Sequence, residues 1–158
     1  MVTKKIILLL IIAAVIFASG CGSTKNDEDQ AWLRSTNSDL EMMQQDKHNM
    51  LKDQELSLAN LDACDKVVTD AKTALRNNQK YRPTSSKFQK AQNEWNTILN
   101  DYILAAELRS VAVQKMNTDM SEDPTIYPAA YEALNNSNNA MLDAQNHRYI
   151  LYDYIDDE

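Results

Sequence analysis

The sequence predicts an all-α protein: a three-helix antiparallel bundle whose long first helix has coiled-coil character and projects as a stalk. Two observations carry this reading. The only glycines are Gly20 and Gly22, so from Ser23 to Glu158 no residue freely takes the positive φ that hairpins and phosphate-cradling loops need. That excludes hairpin-rich sheets, a dinucleotide fold and a P-loop. The three prolines, Pro83, Pro124 and Pro128, then divide the chain into long segments in which apolar residues recur at helical spacing. A chain of 158 residues makes one ordinary domain.

The first helix is expected over about residues 27–79. Asn26 can cap it, and Asp27, Glu28 and Asp29 place negative charge at the positive end of the helix dipole. Leu33, Leu40, Leu61, Val68 and Leu75 keep a seven-residue beat, and Met43, Met50, Cys64 and Ala71 form a second set offset by three. Unbroken, such a helix is about 75 Å long. Its stripe weakens where Lys47 and Gln54 replace apolar residues, among His48, Asn49 and Lys52. The plain interpretation is a solvated stretch, and the alternative is a register-setting contact in an oligomer.

The residue before Pro83 leaves the α region, which ends the first helix. Thr84 or Ser85 caps the second, over about 85–118, whose stripe of Phe88, Ala91, Trp95, Ile98, Leu99, Tyr102, Ala105, Ala106, Ala112, Val113 and Met116 supplies the core. A third follows over about 126–155, with Pro128 in its first turn. The run Asn135-Asn136-Ser137-Asn138-Asn139 is its weak point, where poor helix formers favour a kink. Helices two and three are too short to cover all of helix one. The segment from about Asp29 to Asp46 should therefore stand clear, with Leu33, Leu40 and Met43 as an exposed interaction stripe.

The first 21 residues are a different matter. Lys4 and Lys5 precede an apolar run from Ile6 to Ala18, which ends in Ala18-Ser19-Gly20-Cys21. The run has the length of a secretory hydrophobic region and falls short of a membrane span. This N-terminus resembles the signal peptide and lipobox of prokaryotic lipoproteins. The resemblance implies that residues 1–20 are removed and that the Cys21 thiol carries a diacylglyceryl group. Residues 21–26 then form a short tether to a bundle on the extracytoplasmic side of the cell membrane or in the envelope beyond it. The family usually has Leu, Val or Ile where this chain has Ala18. An ordinary signal peptide cut near Gly20 and an uncleaved, slightly short anchor helix are the alternative readings.

Loss of Lys4 and Lys5 takes the formal charge from −7 to −9. Residues 91–158 carry that whole excess, with 12 acids against only Arg109, Lys115 and Arg148. Nucleic acid is not an expected partner, because no basic footprint is present to release counterions. An acidic solvated face, or a surface for a basic partner, remains.

Catalytic signals are lacking. His48 and His147 are isolated from each other and from cysteine, so no metal-ligand set and no cofactor are expected. No nucleophile elbow or glycine-supported oxyanion loop exists, and an enzyme is not expected. Cys64 lies on the apolar stripe as a small core residue; the alternative is an intermolecular disulfide between two copies. The expected function is that of a non-enzymatic, membrane-anchored interaction or spacer module, with an envelope protein or a second copy bound through helix one. The alternative is a small-molecule or glycan-binding module using Trp95, Tyr102, Tyr149, Tyr152 and Tyr154.

Overall fold

The computed structural model describes residues 24–52, 56–118 and 126–155; the signal segment, Cys21 and most of the tether lie outside these. Among the described residues all regular structure is helical: α1 (Thr24–Leu51), α2 (Asn60–Asn78), α3 (Ser86–Met116) and α4 (Ile126–Ile155). The all-α class is therefore shown, but the single long first helix is not: the chain reverses between α1 and α2.

The reversal is made without glycine or proline. Asn60 Oδ1 accepts from both the Ser57 backbone N–H and the Ser57 hydroxyl, each at 3.1 Å, and Asn60 N–H donates to Ser57 C=O at 3.0 Å. These bonds fold the Asn60 side chain back over Ser57 just ahead of α2, whose own N-cap, Ala59, makes no side-chain capping bond. Asn60 is 2% exposed, so these bonds hold a buried amide that would be costly to leave unpaired.

Because the chain folds back, the expected stalk does not project. Leu40 is 4% and Met43 0% exposed, Leu33 is half-buried against the same core, and Trp32 is wholly buried. The stripe of Leu33, Leu40 and Met43 is thus covered by the chain's own helices. The seven-residue beat is real, but its two halves face each other rather than a partner.

Consecutive helices run antiparallel, as cross-helix pairs show: Asp46 with Lys66 between α1 and α2, Lys72 with Glu107 between α2 and α3, and His147 with Glu94 between α3 and α4. A buried polar hub locks the end where α1 begins. Asn78 Oδ1 accepts from Trp32 Nε1 at 2.6 Å, and Asn78 Nδ2 donates to Asn96 Oδ1 at 2.8 Å and to Gln92 C=O at 3.2 Å. One amide thereby joins three helices, while Trp32 meets Phe88 edge to face at 5.6 Å.

Next to the hub, Asp29 of α1 receives the Thr84 N–H at 2.6 Å and the Ser85 N–H at 3.3 Å. It neutralises the start of α3 from outside, complementing Ser85, whose Oγ accepts from Phe88 N–H at 3.2 Å.

The longest packed seam joins α3 and α4. Ala130, Ala133, Ser137, Ala140 and Ala144 alternate steps of three and four and are all buried, so the helices approach closely through small side chains. Ser137 Oγ donates to the Ala105 carbonyl at 2.7 Å. The helix runs unbroken through Asn135–Asn139, where Ser137 turns inward while the four asparagines stay in solvent. Seam packing outweighs their poor propensity.

Candidate functional site

The residues singled out in the sequence do not come together. Cys21 lies outside the described residues. Cys64 is free and fully buried in α2, and burial pushes its thiol up to about 11, the nearby Arg109 opposing this only in part. A cross-link between two folded copies through Cys64 is incompatible with that position. Trp95 and Tyr102 are 0% and 1% exposed, so the proposed glycan-stacking set is split: these two are core, and of the rest only Tyr149 stands well out in solvent.

His147 pairs across the α3–α4 seam, its Nδ1 lying 2.8 Å from Glu94 Oε2. Asp101 is close by; burial raises its carboxyl above the usual range, with His147 opposing and Asp143 reinforcing the shift. Among the described residues no cluster of histidine, cysteine and carboxylate is arranged to hold a metal ion.

Three features escaped the sequence reading. The first is a charged triad between α1 and α2. Asp46, 3% exposed, accepts from Lys66 Nζ at 2.8 Å, and Lys66 also bonds Asp70. Burial drives the Asp46 carboxyl above its ordinary value despite Lys66, whereas the Lys66 ammonium holds Asp70 below its own. The triad ties the two helices together.

The second is a cleft of about 250 Å³ lined by Gln44, Lys47, His48 and Leu51 of α1 and Arg148 of α4. The spacing of the α1 residues by three, one and three puts them on one helix face. Lys47 and His48, which looked like a gap in the stripe, are therefore its walls.

The third is the outer face of α4. Tyr127, Tyr131, Leu142 and Tyr149 are 41%, 48%, 56% and 57% exposed, and Tyr127 and Tyr131 pack ring to ring at 5.2 Å. Their positions repeat at near-helical spacing, giving α4 an apolar strip on the opposite side from its alanine seam.

No family model matches this chain, and no curated protein or solved structure does so either. Among the described residues no helix is long and apolar enough to cross a membrane. Function is thus argued from the chain's own chemistry.

Proposed function

We propose that this chain is a lipid-anchored helical module of the cell envelope, held at the membrane through Cys21 and acting by protein contact rather than catalysis. The observation that carries the contact role is the exposed strip of Tyr127, Tyr131, Leu142 and Tyr149 on α4. Tyr127 with Tyr131, and Leu142 with Tyr149, form two exposed apolar patches on one face with Asn135 and Asn138 between them; such surface is a mark of interaction sites, and tyrosine is enriched where interfaces form. The strip lies in the half of the chain with 12 acids and three bases, so the fitting partner is a protein with an apolar ridge flanked by lysine or arginine. A second copy of this chain would bring like charge against like charge.

The anchor rests on the lipobox resemblance, and the fold is compatible with it. Only Gly22 and Ser23 separate Cys21 from the start of α1, so the hub end of the bundle would sit against the membrane. A diacylglyceryl group supplies the two acyl chains that stable anchoring requires.

The test is site-specific photo-crosslinking from position 142 in cells, with Leu142→Glu as the comparison in an interaction assay on the same membranes. One discrete adduct, weakened by salt and lost in Leu142→Glu while the circular dichroism is unchanged, supports the reading. An adduct with a second copy alone, or none, would refute it.

A further inference from the structure

We infer that the cleft between the C-terminal part of α1 and α4 binds a phosphate group carried by a small phosphomonoester. This is independent of the α4 contact strip and of the lipid anchor.

Lys47 and Arg148 are brought together in the cleft walls with His48 and the Gln44 amide beside them. Among the described residues neither Lys47 nor Arg148 is paired with a carboxylate, and unlike the other unpaired cations these two line one cleft. In a chain of net charge −7, two cations thus lie side by side with no acid paired to either among the described residues. Burial chiefly holds the Lys47 ammonium below its ordinary range, with Arg148 adding to the shift and Tyr149 opposing it.

Arg148 is also held in place. Its guanidinium lies over the Tyr152 ring, 5.9 Å from the centroid, with the buried Tyr102 hydroxyl beside it. Its Nε is buried with no hydrogen-bond partner among the described residues. That atom is enclosed, so a ligand in the cleft would meet the terminal guanidinium nitrogens instead. A fixed guanidinium presents a planar fork that suits phosphate or carboxylate, and lysine adds a point charge. Two cations on different helices favour a phosphate, whose three terminal oxygens and up to two charges can engage both. A carboxylate's single charge would leave one cation unrelieved.

Size sets the rest of the ligand. A cleft of about 250 Å³ is below the range of drug-sized pockets, about 300–1,000 Å³. It therefore accepts the phosphate and a few adjoining atoms against Leu51, with anything larger left in solvent.

The experiment uses the full chain purified in detergent. Melting temperature and calorimetric titration are measured with inorganic phosphate, glycerol 3-phosphate and, at matched ionic strength, sulfate. Vesicles of phosphatidic acid and of phosphatidylcholine form a second arm. Saturable binding of the free phosphates supports the inference, and Lys47-dependent binding to phosphatidic acid vesicles without it would overturn it. Lys47→Met, which keeps the apolar stem, should weaken phosphate binding at least tenfold, and Arg148→Gln likewise. Lys72→Met on the far helix should leave it unchanged. An unaltered response in Lys47→Met, an equal response to sulfate, or no response to any phosphate at millimolar concentration overturns the inference. Lys47→Met is judged only after its circular dichroism matches the parent, and Arg148→Gln, closer to the core, serves as the second variant.

Discussion

Removing the Asn78 side chain tests whether one amide really binds α1, α2 and α3 together. Asn78→Ala leaves the Trp32 indole N–H, now 2.6 Å from its acceptor and fully buried, with nothing to donate to. An orphaned buried donor costs about 1–3 kcal/mol. The lost bonds to Asn96 and Gln92 lie nearer the surface, where water can replace them, and add about 0.5–1.5 kcal/mol. The expected loss is therefore about 2–4 kcal/mol, read from urea denaturation followed by helical circular dichroism. The hub makes a sharper claim through a double-mutant cycle. Trp32→Phe removes the orphaned donor, so it should cost about 1–2 kcal/mol less in the Asn78→Ala background than in the parent. If the two costs add within about 0.5 kcal/mol, the indole–amide bond does not couple the helices and the hub is wrongly described.

Other expectations follow from the same packing. Leu40→Ala should destabilise the bundle by about 2–5 kcal/mol in the same denaturation assay, because its side chain is buried against the core; an unchanged midpoint would restore the projecting stalk. Asp46 has a raised folded pKa, so the stability it contributes is present at low pH and is lost as pH climbs from the ordinary aspartate value of 3.8 through that raised value. The stability of the parent relative to Asp46→Asn should accordingly fall with rising pH across that window, while Asp70, shifted down, contributes the opposite slope at lower pH. A flat difference would contradict the burial of Asp46. In a Cys21→Ser chain, the Cys64 thiol, pushed up to about 11, should be inert to thiol reagents at pH 8 until urea opens the bundle. Immediate labelling of the folded chain would show that α2 does not bury it.

The helical class could be read from the sequence because its evidence is distributed: a glycine-free chain and apolar spacing sustained over more than a hundred residues. The helix starts at Ser85 and near Pro128 were readable for the same reason, each being marked by proline and a capping residue. The α1–α2 reversal was not, because Ser57 and Asn60 make it through side-chain bonds rather than through glycine or proline. The polar gap around Lys47 to Glu55 was the available signal, and a continuous heptad beat concealed it. That one missed turn also misplaced the functional stripe, since folding α1 back buries Leu40 and Met43. The candidate cleft depends on Lys47 and Arg148, about a hundred positions apart, and only the packing of α1 beside α4 makes them neighbours. The Ser137 seam shows the reverse case: its three-and-four spacing was present in the sequence but was hidden by the surrounding asparagines.

The account turns on the anchor, and one measurement addresses it directly: the intact mass of the chain purified from the membranes of expressing cells, beside that of Cys21→Ala. The predicted result is a chain lacking residues 1–20 with a diacylglyceryl adduct at Cys21, and a Cys21→Ala chain that retains those residues and carries no lipid. A parent chain with no lipid, whether cut near Gly20 or left whole, would contradict the lipid-anchored module.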